Sequence, residues 1–239
     1  MRFIDNIQMV YFTAPQPEPL DAMKLWQLHY ADEGPDEFKR IPGNPGKQTV
    51  ATSTKEGRQI SISSQIGRID VTVIAVPDGA GSQSYLEGAA AALVDLTNMA
   101  EQLGGVCPLV RGAFALNQIL PIEDGDPKRT IEESTGVKFP ANSIEPMIQY
   151  NMQEQEKEGG GFLVNQLSSW SVVNVQTVQI DPSGTNPFTV KIDQNVIHRV
   201  DVNTAPNQSL AKVDVRFVFS NLARRATQRL ANPLSDANG

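Results

Sequence analysis

A single cysteine, Cys107, stands among 239 residues. That excludes an intrachain disulfide framework and a multi-cysteine metal site, and it points to a reducing, cytoplasmic setting. Long apolar runs are missing as well. No stretch approaches the roughly 18 apolar residues of a membrane-spanning helix, and Met1 to Asn6 shows no sustained apolar run of the kind an export signal carries. Histidine is scarce, with only His29 and His198 available for nucleophilic or acid–base work, and no Gly-x-Ser-x-Gly elbow is present. Net basic charge is lacking too: 20 basic against 27 acidic residues give −7. This favours solubility and opposes uniform attraction to nucleic acid or anionic membranes, leaving a local basic face as the one route to such partners.

What is present is apolar patterning. At 40% hydrophobic content the chain can bury a sizeable core as one domain or two small ones. Arg68-Ile69-Asp70-Val71, ending at Pro77, is echoed by Arg199-Val200-Asp201-Val202, ending at Pro206. Each copy follows another strand-like run and precedes a helix-length segment, to Leu103 and to Ala231, which suggests one supersecondary unit used twice.

Along the chain, Ile7 to Phe12 reads as a strand, three prolines between Ala14 and Pro19 end it, and Leu20 to Tyr30 has helical spacing. Gly34 to Gly46 reads as an irregular connection. From Arg58 the period is two, with Ile66-Gly67 as the turn of a hairpin. Ser84 with Glu87 forms a capping box for a helix closed by Gly104-Gly105. Leu109 to Leu120 is a return strand weakened by Gly112. Residues 123 to 158 hold nine acidic and four basic side chains and are expected to form a polar loop and a helix over Ile144 to Lys157. Gly159-Gly160-Gly161 suggests a boundary. Leu163 to Ile180 and Phe188 to Val202 read as strands joined by Asp181-Pro182-Ser183-Gly184, with Val196, His198, Val200 and Val202 on the buried face. Val213, Val215, Phe217 and Phe219 alternate like a strand, but Leu210, Val213, Phe217, Leu222, Ala226 and Leu230 form a helical stripe. The repeat favours a helix with Ser209 as its N-cap.

The candidate sites are few. Gly79, Gly81 and Ser82 lie between a strand and a helix, where backbone N–H groups can hold an anion, although a dinucleotide fingerprint and a P-loop lysine are both missing. Arg216, Arg224, Arg225 and Arg229, with Lys212, form a basic stripe suited to phosphates, to an acidic partner or to the molecule's own acidic segment. Glu123, Asp124 and Asp126 around Gly125 lack the later ligands of a calcium loop and read as a solvated turn. Arg68 with Asp70 and Arg199 with Asp201 project from one face of their strands as outward ion pairs or a charged interface patch. Asn207-Gln208-Ser209 matches a glycosylation sequon and reads as loop.

These readings predict an α+β protein of two related halves, each a largely antiparallel β-hairpin with a packed helix, plus an N-terminal strand–helix arm. The division is 1–50 for the arm, 51–140 and 141–232 for the halves, and 233–239 for a tail. The expected function is non-enzymatic: an interaction or scaffold protein, self-associating or bound to a protein partner within a multi-protein assembly. No catalytic residue, metal or cofactor is assigned. The alternative is a nucleic-acid or nucleotide-binding accessory that uses the basic C-terminal helix or the Gly79–Gly81 loop.

Overall fold

The computed structural model describes residues 3–15, 18–31, 33–42, 47–76, 86, 88–120, 122, 125–179 and 189–232. In chain order they form β1 (Phe3–Thr13), α1 (Ala22–Tyr30), β2 (Glu37–Ile41), β3 (Gln48–Lys55), β4 (Arg58–Gln65), β5 (Arg68–Ala75), α2 (Ala89–Gly104), β6 (Leu109–Leu120), α3 (Pro127–Thr135), β7 (Met147–Glu156), β8 (Phe162–Gln179), β9 (Thr189–Thr204) and α4 (Val215–Ala231). The protein is α+β, with a nine-stranded sheet in the order β2-β3-β4-β5-β1-β6-β9-β8-β7. Every neighbouring pair is antiparallel.

All four helices lie on one face. Ile7, Met9 and Tyr11 of β1, Ile69, Val71 and Val73 of β5, Phe114 and Leu116 of β6, and Val200 and Val202 of β9 share the main core with α1, α2 and α4. A second cluster holds Leu120, Trp170 and Val196 around Ile131 of α3. Leu120 is in step with Leu116, and Val196 with Val200, so α3 covers the same face further along the strands. Among the described residues nothing covers the opposite face.

The hairpin expected at Ile66-Gly67 is present: Gln65 faces Arg68, and Gly67 takes φ 73°. Several expectations need correction. The first strand does not belong to an arm. It pairs with β5 on one side and β6 on the other, at the middle of the sheet, and Val10 is buried even on the face opposite Met9 and Tyr11. Part of the expected irregular connection is strand β2. The helix expected over Ile144 to Lys157 is strand β7, whose even positions Ile148, Tyr150 and Met152 turn inward between exposed amides. The helix of that region is instead α3. Asp126 caps it by accepting from the Lys128 and Arg129 N–H groups, Pro127 begins it, and Gly136 in the left-handed conformation ends it.

Helix α2 starts later than the capping box implied, at Ala89 with Gly88 as its cap. Ser84 and Glu87 lie outside the described residues. The Leu86 N–H donates to the Ile4 carbonyl at 2.7 Å and its side chain enters the core, which holds that point of the chain against β1. The alternating segment after Leu210 is a helix from Val215 onward. Its cap is Asp214, whose Oδ1 accepts from the Phe217 N–H at 2.8 Å, and not Ser209. The three glycines at 159–161 mark no boundary: they close the β7–β8 hairpin, all at positive φ. A Cβ on Gly159 would collide with the Phe217 ring, so glycine lets α4 sit on the hairpin. The turn expected at Asp181 to Gly184 lies outside the described residues.

Candidate functional site

Helix α4 meets the acidic strand β7, and their meeting decides the fate of the basic stripe. Arg225 bonds Glu154 through Nη1, donates from Nη2 to Glu156 at 3.1 Å and from Nε to Asn221 Oδ1 at 2.7 Å. Glu156 also accepts from Asn221 and from the Lys157 and Glu158 N–H groups. Burial pushes the Glu156 carboxyl up, but the Glu158 N–H, Arg225 and Asn221 outweigh it and hold it below the usual range. Arg224 donates to Gln228 at 3.3 Å and lies 3.8 Å from Glu156. Arg216 reaches Glu101 of α2 at 3.2 Å, and Arg229, buried, donates to Gln166 at 2.9 Å. The molecule's own acidic and amide groups therefore engage all four candidate arginines.

Between α2 and α4 runs a groove of about 350 Å³ with Leu93, Val94, Thr97 and Ala223 in its walls and Arg216 and Arg224 at its rim. Neither histidine lines it. His198 stacks on Trp170 in the second core cluster, with ring centroids 4.2 Å apart, as its place on the buried face of β9 implied.

His29 ties α1 to α2. Its Nε2 lies 2.9 Å from Asp95 Oδ1 and its Nδ1 2.7 Å from Gln102 Oε1, and only the imidazolium donates at both nitrogens. Burial pushes the imidazolium pKa down, yet the bonds to Asp95 and Gln102 and the Asp95 charge together raise it. The Asp95 carboxyl is held low, first by the His29 bond, against its own burial, with the Arg58 charge and the Tyr30 hydroxyl adding to the effect. The His29 contribution is therefore complete below 6.5 and is lost as pH rises through its raised folded value. The Asp95 contribution is present above 3.8 and is lost as pH falls through its lowered folded value. Because Asp95 is 45% exposed, His29→Ala should cost only about 0.5–1 kcal/mol between those limits. Urea unfolding across pH should show the difference shrinking in alkali; a constant difference would mean that packing, not charge, joins the helices.

On the uncovered face Arg68 grips Asp70 with two bonds of 2.7 Å, and Gln8 adds a third at 2.8 Å. The Phe12 ring lies between the Arg68 and Arg111 guanidinium groups, each 5.5 Å from its centroid. The second pair differs: Asp201 accepts from Asn203. Asp126 of the acidic turn serves as the α3 cap, while Glu123 and Asp124 lie outside the described residues. So do Gly79, Gly81 and Ser82. Among the described residues no group of three or more acidic, histidine or cysteine side chains could hold a metal ion, and no helix is long and apolar enough to cross a membrane.

The feature that the sequence reading missed is the contrast between the sheet's two edges. Strand β2 is short and charged, with Lys39 2.7 Å from Glu37 and Arg40 reaching Asp21. Strand β7 has ten residues with no proline, lysine or arginine among them, flanked by Pro146 and Lys157. Gln149, Asn151, Gln153 and Gln155 are exposed on its outer row, and Met147 and Ile144 at its head are 64% and 92% exposed. Among the described residues nothing pairs with its free side. The alternation of Ile148, Tyr150 and Met152 was the available signal.

No family model matches the chain, and no curated protein matches it. Among solved structures, the crystal structure of DynU16, a protein of the dynemicin biosynthetic locus, aligns at 12% identity over 95% of this chain and 99% of that one, with a TM-score of 0.20.

Proposed function

We propose that the protein is a non-enzymatic interaction or scaffold component of a multi-protein assembly, working through its β7 edge. The observation that carries this reading is the difference between the two edges. An exposed strand is a template for another chain, and proteins blunt it with charge, proline or brevity; β2 carries charge and brevity, whereas β7 is ten residues long without proline, and its two charges, Glu154 and Glu156, turn to the helix side and pair with Arg225.

The proposal includes two related halves, 51–140 and 141–232 in the sequence division, with β1 laid against β5 and β6 against β9 at the middle of the sheet. The registers support it. Asp70 faces Val10 and Asp201 faces Ala115; one residue on, Val71 faces Met9 and Val202 faces Phe114. Met9 and Phe114 in turn face each other, as residues on a two-fold axis between β1 and β6 would. On this reading the Arg-x-Asp-Val segments are matched strands of a duplicated unit, joined edge to edge at the centre.

Affinity capture with the wild type and with Asn151→Lys, which places a cation at the middle of the exposed row, tests the function. Proteins recovered by the wild type should be lost with the variant. Identical recovery by both, with the variant's thermal unfolding unchanged, would sink the edge reading.

A further inference from the structure

We infer that the occupant of the β7 edge is the β7 edge of a second copy of this chain, paired antiparallel about a two-fold axis perpendicular to the sheet. This rests on the edge reading above and names its partner.

The chemistry of the strand is self-complementary. Its outer row is amide throughout from Gln149 to Gln155. An amide both donates and accepts, so the row meets its own reverse without setting like charges opposite one another. The carboxylates of the other row, Glu154 and Glu156, are already matched by Arg225 of the same molecule. They bring no unpaired repulsion to the joint. Pro146 and Lys157 bracket the segment that can pair, and a two-fold arrangement lays the head of one strand beside the tail of the other. Met147 and Ile144 thereby face the β7–β8 hairpin end of the second copy and lose solvent. The result is a continuous sheet of twice nine strands with both helix layers on one side. The same kind of junction, antiparallel and edge to edge, joins β1 to β6 inside the chain.

One strand pair lies at the small end for a specific interface, so the dimer should dissociate on dilution. Light scattering on the full chain should give twice the 26.0 kDa monomer mass at high concentration, falling toward it on dilution. Asn151→Lys, and separately Gln153→Lys, should remain at the monomer mass with unchanged far-ultraviolet circular dichroism. Cys107 is buried, so single cysteines at Gln149, Asn151 or Gln153 report alone: oxidative cross-linking should peak at one position and fall away on either side of it. A wild type that is monomeric at every concentration overturns the self-pairing, as does a dimer indifferent to both lysines. The edge reading itself is judged separately, by whether Asn151→Lys loses captured proteins.

Discussion

Replacing Phe219 with alanine is expected to lower the unfolding free energy by about 3–5 kcal/mol. The side chain is fully buried at the join of α4 with the middle of the sheet, stacked on Tyr11 at 5.8 Å and edge-on to Phe114 at 5.6 Å. Its ring rests on Gly112, where an added Cβ would come within 3.0 Å of Phe219 Cζ. The glycine that weakens β6 as a strand is therefore the hollow that lets α4 approach. Gly112→Ala alone should cost about 1–3 kcal/mol through overpacking. Combined with Phe219→Ala it should cost much less than the sum of the two, because the clashing partner is gone. Urea unfolding of the four proteins measures the coupling. Strict additivity would show that the two residues do not touch.

Arg225→Ala should be the next most damaging change, at about 3 kcal/mol, because it leaves Glu156 charged, enclosed and short of a partner. Both side chains are only 11% exposed. In the wild type the carboxyl is held low, so its contribution is present above 4.5 and is lost as pH falls through the lowered folded value. Without Arg225 the carboxyl keeps its burial and loses the arginine's bond and charge, so it titrates at a higher pH than in the wild type. The wild type's advantage over the variant should therefore be full above 4.5 and shrink as pH falls and Glu156 is protonated, which urea unfolding along a descending pH series measures. Arg225→Met with Glu156→Gln should recover part of the loss, since a neutral pair leaves no uncompensated charge. If the single variant is as stable as the wild type at neutral pH, the clamp between β7 and α4 contributes little. These costs also mean that lost nucleic-acid binding in an Arg224 and Arg225 double variant would have to be separated from lost stability.

Much of the fold was legible where one face is buried and the period is clear. Ile69, Val71 and Val73 announced β5, and Val196, His198, Val200 and Val202 announced the covered face of β9. The final helix was legible only by analogy between the two Arg-x-Asp-Val segments, since Val213 to Phe219 alternate like a strand. Its true cap, Asp214, was hidden by the more prominent Ser209. Strand β7 was misread because its glutamines and glutamates suit a solvated helix as well as an edge strand. What distinguishes the two is Glu154 and Glu156 pointing inward, which makes sense only once Arg225 lies above them.

The sequence by itself determined which residues face the core and where most elements stop, because side-chain period, prolines, glycines and caps act within a few residues. The tertiary structure alone decided that the first strand lies at the centre of the sheet, that Arg225 and Arg229 of the basic stripe turn to the molecule's own carboxylates and amides, and that β7, among the described residues, is an edge strand. Those outcomes depend on which distant strands and helices become neighbours. Periodicity encodes a face, whereas strand order and charge pairing arise from contacts across the whole chain.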